Sequence, residues 1–314
     1  MAEGTAITST TLNALPKIAE GKVRDLYEVD SNTLLFVASD RISAYDVIMS
    51  NGIPSKGPLL TQLSTFWFHL LPTLVPGLRT HFLTLSLPSQ IPPSQIGQLE
   101  NRSMQVRRLK VFPIEAIVRG YITGSAWKEY QRSQTVHGIP MPAGLLESSP
   151  FPQPLYTPST KAEAGQNDEN IHPSEAAKIV GEEYATQIED LAIKLYTAAR
   201  DYAAERGIII ADTKFEFGVD EAGDVVLVDE VLTPDSSRFW RKDRYEVGRE
   251  QESFDKQFLR NWLVREGLKG KQGVSMPEEV VKETARKYKE AYEGLTGAKW
   301  ENAVTGKDVQ VRDR

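Results

Sequence analysis

Charged side chains interrupt two apolar runs between residues 207 and 241, and this pattern restricts the fold more than any other in the chain. The first run alternates between packed side chains and the charged Asp212, Lys214 and Glu216, which predicts a strand with one packed face and one charged face. A polar turn follows, and residues 225–232 are expected to return as the second strand of an antiparallel hairpin. Charges in so apolar a setting favour a functional site.

The register of this hairpin decides which acid shares the face of Lys214 and Glu216. A loop with an even number of residues puts Asp229 there, and an odd loop puts Glu230 there, because a slip of one residue exchanges the faces. We favour the even loop. Glu216 and Asp229 would then bind one hard cation, such as Mg²⁺, through carboxylate oxygens. Ordinary ion pairs on a solvated hairpin face are the alternative, which the apolar flanks disfavour.

Two basic side chains accompany these acids. Lys214 can neutralise the acids or hold a phosphate oxygen, and Arg238 in the turn after the hairpin offers a planar fork for a phosphate or a carboxylate. Together the four side chains suit a magnesium ion with a polyphosphate.

The composition narrows the class of ligand. The chain has 314 residues, which suits two domains, and its net charge of -6 argues against a nucleic acid held by a basic surface. Small anionic ligands are favoured instead. The absence of cysteine excludes disulfides, a thiol nucleophile and a thiolate metal site. No secretory signal and no apolar run long enough to cross a membrane is present, so the cytosol is the expected location.

The N-terminal part predicts a small antiparallel sheet over residues 20–40. Its turn at Gly21 and Lys22 suggests phosphate binding only weakly, because this is not the loop in which a lysine opens a helix, and a plain turn is the alternative. A nucleotide here would be covered by strands. A helix with core aromatic side chains is predicted at residues 59–71.

A proline break marks a candidate boundary between lobes. Strands are predicted at residues 104–111 and 114–118, separated by Pro113. After them, Arg119 and Ser125 enclose a glycine-bearing turn that can place a guanidinium, a hydroxyl and backbone amides around one anion. A simple helix cap by Ser125 is the alternative.

The remaining segments are interpreted as a lid and a scaffold. Six prolines in residues 138–158 predict an extended, irregular lid. Amphipathic helices are predicted at residues 182–206, 253–265 and 277–292, the last of them ended by Gly294.

Seven motifs, in the expected order, closely resemble those of the phosphoribosylaminoimidazole-succinocarboxamide synthase (SAICAR synthetase) family: GKVRDLYE at 21–28, SDRISAYD at 39–46, VRGYITGSAWKEY at 118–130, TPSTKAE at 157–163, DEN at 168–170, ADTKFEFG at 211–218 and DEVLTPDSSRFW at 229–240. The resemblance runs from about residue 15 to beyond residue 262. The long proline-rich stretch is more similar to the longer fungal-type members of that family than to the compact bacterial ones.

This resemblance implies an α+β fold with two lobes and ATP in the cleft between them. Residues 1–112 would form a small, mainly antiparallel lobe that covers ATP, and residues 113–314 a larger α+β lobe with the substrate and metal sites. The implied enzyme is an ATP-dependent ligase of purine biosynthesis. It joins carboxyaminoimidazole ribonucleotide (CAIR) to L-aspartate and releases ADP and phosphate through an acyl phosphate. The implied cofactor is Mg²⁺, and a monomer without nucleic-acid or membrane partners is favoured.

Motif by motif, the resemblance also implies roles for individual residues. Lys214 and Asp212 would lie near the reacting end of the ribonucleotide, and Glu216 and Asp229 would hold Mg²⁺. The expected ATP-binding residues are Gly21, Lys22, Arg24, Lys110 and Glu115. The expected substrate-binding residues are Asp40, Arg41, Ser43, Asp46, Arg119, Ser125, Lys161, Asp168, Glu169 and Arg238. The residue that accepts the proton from the aspartate amine is left open, with Asp212 a candidate only by its position.

Two other classes of function compete with the ligase. A phosphotransferase of kinase type is suggested by the two lobes and by the triplet from Glu216 to Gly218, but the chain has no His-Arg-Asp catalytic triplet. A nucleotide-binding module without catalysis is disfavoured by the full set of charged motifs.

Overall fold

The computed structural model describes residues 5–161 and 168–304. Its strands, in chain order, are β1 (Lys17–Glu20), β2 (Arg24–Glu28), β3 (Thr33–Ala38), β4 (Ser43–Ala44), β5 (Val47–Ile48), β6 (Phe82–Thr84), β7 (Ser103–Arg107), β8 (Lys110–Val111), β9 (Ile114–Tyr121), β10 (Thr135–Val136), β11 (Ile139–Pro140), β12 (Pro150–Tyr156), β13 (Ser159–Thr160), β14 (Ile208–Val219), β15 (Val225–Val228) and β16 (Ser237–Arg241). The helices are α1 (Lys56–Leu74), α2 (Pro93–Leu99), α3 (Gly124–Ser133), α4 (Pro173–Val180), α5 (Glu182–Ala204), α6 (Gln257–Arg265), α7 (Glu278–Thr296) and α8 (Trp300–Val304).

Two antiparallel sheets form the framework. The first has five strands in the order β1-β2-β3-β7-β6, and it contains the sheet that the sequence predicts over residues 20–40. The second has seven strands, with β14 at its centre between β9 and β15, and with β8 and β16 also paired to β14. Mixed helices and antiparallel sheets confirm the α+β class.

Helix α5 packs across β14 and β9 and supplies the core of the larger sheet. Its buried side chains recur every three or four residues, as in Ile188, Ala192 and Leu195. The hydroxyl of Tyr196 donates to the carbonyl of Ile210 at 2.7 Å. Residue 120 is glycine because a Cβ there would lie 1.9 Å from that same hydroxyl.

The predicted boundary between residues 1–112 and 113–314 falls close to a change of sheet. Strand β7 belongs to the small sheet, whereas β8 and β9 belong to the large one. Helix α1 nevertheless packs against α5 and α7, and Trp67 meets Tyr202 edge to face at 5.5 Å. Since a shared core joins the two parts, the boundary stays a prediction.

The hairpin of β14 and β15 differs from the favoured register. Val219 pairs with Val225, so the loop comprises residues 220–224, which is five residues and therefore odd. The returning strand also ends at Val228 instead of residue 232. The even loop was the wrong choice, since the acids and glycine of this segment all belong to the turn.

The proline-rich segment is more regular than its sequence indicates. Residues 150–156 form the edge strand β12, which pairs with β9 through Tyr121, Arg119 and Val118. An edge strand tolerates proline because its outer backbone groups need no partner in the sheet. The expectation of irregular chain is therefore wrong for this strand, and residues 162–167 of the predicted lid lie outside the described residues.

Helix α7 extends past Gly294, the residue at which the sequence pattern predicts that this helix ends. The helix reaches Thr296 and closes on Gly297, whose φ is 71°. Gly294 lies inside the helix, where a Cβ would come within 2.8 Å of Ile208. This glycine therefore permits close packing of α7 on β14. Among the described helices, none has the length and hydropathy needed to cross a membrane.

Candidate active site

One cavity of about 930 Å³ lies between the small sheet and the charged face of β14. Most of the residues expected to bind ligands line it: Gly21, Lys22, Arg24, Ser43, Asp46, Glu115, Ser125, Lys161, Asp168, Lys214, Glu216, Asp229 and Arg238. They come from both sheets and from the start of α3, so segments far apart in the sequence meet at this site.

Six expected site residues do not line the cavity: Asp40, Arg41, Lys110, Arg119, Glu169 and Asp212. Lys110 is exposed on β8 while its neighbours Leu109 and Val111 face the cavity. Glu169 is also exposed, and its backbone N–H donates to the hydroxyl of Thr160. The placement of these two side chains therefore does not support direct binding.

The side chains of Asp40 and Arg41 bond to other parts of the protein and do not line the cavity. Asp40 accepts from the backbone N–H of Gly57 at 2.8 Å and is buried against Arg102. Arg41 donates to the carbonyl oxygens of Gly21 and Lys22 at 3.0 and 3.2 Å. Arg41 thus supports the Gly21 turn, whereas Asp40 supports the start of α1, and neither side chain lines the cavity.

The charged face of β14 carries a lysine between carboxylates. The ammonium of Lys214 lies 2.8 Å from an oxygen of Glu115 and 2.8 Å from an oxygen of Glu216. Burial opposes the charged form, but Glu216, Glu115 and Asp229 outweigh burial and raise the pKa of Lys214 well above its usual value. Lys161 donates to the second oxygen of Glu216. Lys214 is therefore a fixed cation.

On the opposite side, Arg24 of β2 bridges the two acids that follow β15. Its guanidinium pairs with Asp229 and lies 3.3 Å from Glu230. Although burial opposes both ionised forms, this pairing raises the pKa of Arg24 and lowers that of Asp229. The pKa of Glu230 is instead raised, chiefly by burial.

Asp229 reaches the cavity through its backbone conformation. Because Glu216 pairs with Val228, strict alternation would put Glu230 on the charged face. Asp229 has a φ of 63°, so the alternation ends there and both acids line the cavity. The structure places Glu216 and Asp229 on one wall, although the register that predicted this was wrong.

A buried arginine pair encloses Asp212 next to the start of α3. Arg119 and Arg238 both donate to the same oxygen of Asp212, and Arg119 also lies 3.5 Å from the hydroxyl of Ser125. Burial lowers the pKa of Arg119, whereas Asp212 outweighs burial and raises that of Arg238. Two guanidinium groups share one carboxylate here, so positive charge remains for an anion. Asp212 itself bonds to both arginines and does not line the cavity.

The donor set of Glu216 and Asp229 fits a hard divalent cation. Glu216 is a buried carboxylate and Asp229 a partly buried one, both line the same cavity, and oxygen is the ligand that Mg²⁺ prefers. Within the described ranges, no group of three or more His, Cys, Asp or Glu side chains is arranged to hold a metal. Such an ion would therefore complete its shell with water and phosphate oxygens, which is usual for Mg²⁺ with nucleotides.

The small sheet supplies an apolar part of the wall. Its lining side chains there are Val23, Leu26, Leu34 and Phe36. A flat aromatic base fits such a surface, since burial of its faces is favourable. Arg24 borders this apolar part, since its guanidinium lies 5.6 Å from the ring centre of Phe36.

Sequence reasoning missed a polar face of α6 and the turn before it. Lys256, Gln257 and Arg260 line the cavity, as does Asp235. The helix was assigned to the core because its apolar stripe is clear, and Leu259 is indeed fully buried. The signal that could have found the site was the recurrence of polar residues on the opposite face of the same helix.

Comparison with known proteins identifies what this arrangement is similar to. The model of the family described as SAICAR synthetase matches residues 17–277. Phosphoribosylaminoimidazole-succinocarboxamide synthase from Pichia angusta is 60% identical over 303 residues, which cover 94% of this chain and 99% of that protein. The enzyme of the same name from Saccharomyces cerevisiae is 57% identical over 306 residues, again with 94% and 99% covered. A solved structure of SAICAR synthase from Saccharomyces cerevisiae in complex with SAICAR matches with a TM-score of 0.85 and 55% identity, over 94% of this chain and 99% of that one.

Proposed function

The chain belongs to the SAICAR synthetase family, and we propose that its cavity joins CAIR to L-aspartate at the expense of ATP. The products are SAICAR, ADP and phosphate. The observation that carries this proposal is the meeting in one cavity of Lys22 and Arg24 from the small sheet with Lys214, Glu216 and Arg238 from the large one. An ATP-dependent ligase needs such a site, because it must neutralise several anions at once.

We infer that ATP would lie under the small sheet. Its base would lie on the apolar wall that contains Leu26 and Phe36, and its phosphates would extend towards Gly21 and Lys22. Lys22 pairs with Asp46 across the cavity mouth and is half exposed, so it can turn to a phosphate at little cost.

Glu216 and Asp229 would hold Mg²⁺. When bound, the ion would neutralise phosphate charge and orient the triphosphate for in-line transfer. Lys161 and Arg24 now pair with these two carboxylates. Both cations remain close enough to contact the phosphates themselves once the carboxylates bind a metal.

The ribonucleotide phosphate would lie at Arg238 and Ser125, with Arg119 adding its positive charge from just outside the cavity lining. Two guanidinium groups that share the single carboxylate of Asp212 retain charge and donors for an anion. Ser125 stands at the start of α3, where a hydroxyl and backbone N–H groups can add to that site. The remaining predicted residues, Ser43 and Asp168, line the adjoining wall.

The reaction would proceed in two steps, phosphorylation of the CAIR carboxylate and then attack of the aspartate amine on the acyl phosphate. A carboxylate oxygen of CAIR attacks the γ-phosphorus of ATP, the bond to ADP breaks, and an acyl phosphate forms. Lys214 stabilises the negative charge that spreads over the transferring group. The amine nitrogen of aspartate then attacks the carbonyl carbon, and phosphate leaves with the electron pair of the broken C–O bond. No protein nucleophile is needed.

A full set of omissions tests the proposal. We expect phosphate release only when ATP, Mg²⁺, CAIR and aspartate are all present, and a product whose mass equals CAIR plus aspartate less one water. Release without aspartate, together with a stable phosphorylated product, would instead identify a kinase-type phosphotransferase. ATP binding without any turnover would identify a binding module. The assignment to the cytosol and to a monomer belongs to the same proposal, and size-exclusion chromatography with light scattering tests the second.

A further inference from the structure

Four side chains from distant parts of the chain meet beside the cavity. Asp235, from the turn before β16, accepts from the ammonium of Lys56 at 2.7 Å and from the hydroxyl of Tyr288 at 2.6 Å. Lys256, just before α6, lies 3.4 Å from the same carboxylate. Lys56 and Tyr288 are buried, whereas Lys256 and Asp235 line the cavity. We call these four residues the Asp235 cluster.

The Asp235 cluster contains one carboxylate for two ammonium groups. Lys56 is completely enclosed, its pair with Asp235 is short, and Asp235 also accepts from Tyr288. Lys256 shares the same carboxylate, at a separation that exceeds a good hydrogen bond. Lys256 is therefore the ammonium of the cluster that faces the cavity, and it shares one carboxylate with a second lysine.

The surroundings of Lys256 act in the same direction. Burial lowers the pKa of Lys256, and Lys56 from α1 and Arg260 from α6 lower it further. The opposing groups are Asp235, which Lys256 shares with Lys56, and Glu230 from the turn after β15. A lysine with a lowered pKa that lines a reaction cavity has the position and the direction of pKa shift expected of a general base.

We propose that Lys256 accepts the proton from the attacking amine of the amino-acid substrate, and that Asp235 and Tyr288 position it for this step. The proposal rests on the proposed ligase function, since it names the residue that activates the nucleophile of that reaction. Asp212 is a weaker candidate, because it is bound by both Arg119 and Arg238 and does not line the cavity.

The proton balance requires such a group. The amine reaches the site as an ammonium and ends as an amide N–H, so two protons must leave it. Neutral Lys256 takes the first, which frees the nitrogen lone pair for attack on the acyl carbon. The second passes to the phosphate as it departs, giving hydrogen phosphate. Lys256 then returns its proton to water through the cavity that it lines.

The test compares two nucleophiles in Lys256→Ala and in wild-type enzyme. Hydroxylamine attacks an acyl phosphate with a nitrogen that is unprotonated at neutral pH, so it needs no base from the protein. We expect Lys256→Ala to lower kcat with aspartate by about 100-fold or more, the usual size of a general-base contribution, while hydroxamate formation from ATP and CAIR changes far less. Small primary amines should restore the aspartate reaction in proportion to their unprotonated fraction.

Two further variants separate proton transfer from charge. Lys256→Arg keeps the positive charge but cannot act as a base, so it should be as defective with aspartate as Lys256→Ala. Lys128→Ala removes an exposed lysine that lines the same cavity from α3, and its activity should not respond to added amines. In wild type, kcat should rise with pH through the lowered pKa of Lys256, and this rise should be absent from Lys256→Arg.

The results separate an error in the proposed ligase function from an error in the role of Lys256. If wild-type enzyme forms no amide from CAIR and aspartate, the proposed function itself is wrong. If wild-type enzyme does so but Lys256→Arg retains activity within about tenfold, Lys256 binds an anion and is not the base. Equal losses of the aspartate and hydroxylamine reactions in Lys256→Ala would overturn the proposal in the same way.

Discussion

The conformation of a single residue, Asp229, decides how the site is assembled. An ideal strand through this position would direct Glu230 and not Asp229 towards the charged face of β14. The left-handed backbone at Asp229, with a φ of 63°, ends the strand and brings both acids to the cavity. Aspartate and asparagine occupy this region more readily than most residues, because their short polar side chains can bond locally.

This conformation makes Asp229→Asn a clean test of the metal assignment. Asparagine keeps the shape and tolerates the positive φ, but it loses the charge that a divalent cation needs. We expect kcat to fall by about 100-fold or more, with the protein still folded, since Arg24 retains Glu230 as a partner. Steady-state kinetics across a range of Mg²⁺ concentrations measure kcat. Circular dichroism checks that the variant is folded.

Two controls accompany that variant. Asp224→Asn alters a half-exposed acid in the loop of the same hairpin and should leave kcat unchanged. Asp229→Ala should be less stable than Asp229→Asn by about 1 kcal/mol, because alanine is strained at this φ. Wild-type kcat for Asp229→Asn at saturating Mg²⁺ would refute the assignment of Asp229 to the metal.

At the scale of elements, alternation and helical periodicity predict most of the strands and helices but not how they end. Gly294 looks like a helix terminator from the sequence, yet it lies within α7 because Ile208 occupies the space of a Cβ. The prolines of β12 look like a loop, yet an edge position accommodates them. Both errors have one cause, since each residue is determined by a neighbour that is distant in the sequence.

The turn into α3 gives a prediction at this scale. Gly124 has a φ of 58°, and a Cβ there would lie 2.5 Å from the guanidinium of Arg238. Gly124→Ala should therefore displace Arg238 and weaken the binding of CAIR, raising its KM by about tenfold, which corresponds to about 1.4 kcal/mol. Gly77→Ala is the matched control, because its φ is 87° and nothing lies within 4 Å of its Cβ.

Both glycine variants should lose about 1–2 kcal/mol of stability from backbone strain alone. Only Gly124→Ala should change the KM for CAIR, while the KM for ATP should stay the same in both. An equal KM for CAIR in the two variants would show that Arg238 does not hold the ribonucleotide. If Gly124→Ala changed only the KM for ATP, Arg238 would be an ATP-binding residue instead. Urea unfolding and initial-rate kinetics supply the measurements.

At the scale of the whole molecule, the site depends on contacts that no local pattern contains. Arg24 and Asp229 are 205 positions apart and both line the cavity, and Asp235, which also lines it, pairs with Lys56 from 179 positions away. The charged strand β14 could be predicted because its alternation is local. The family motifs supplied the substrates and most of the cavity residues. The Asp235 cluster could not be predicted, because Lys56, Lys256 and Tyr288 lie in or next to helices whose sequences indicate only packing, and Asp235 is distant from all three along the chain.

Two buried histidines give the whole fold a dependence on pH. His81 is 1% exposed and His137 is 3% exposed. Burial, the largest cause, lowers the pKa of His81 to about 3 and that of His137 to about 4. Below pH 6.5 the two histidines bind protons in the unfolded chain but not in the folded protein. Their contribution to the free energy of unfolding is therefore fully present above pH 6.5 and is lost as the pH falls towards the folded pKa values.

This linkage predicts a loss of about 1.4 kcal/mol per pH unit from each histidine, or about 2 kcal/mol each between pH 7 and pH 5. His81→Gln and His137→Gln should each reduce the difference in free energy of unfolding between these two pH values by that amount, whatever their own stability. His69→Gln, at an exposed site, is the control and should keep the wild-type difference. Urea unfolding at both pH values measures it, and a full wild-type difference in His81→Gln would mean that His81 is already protonated in the folded protein.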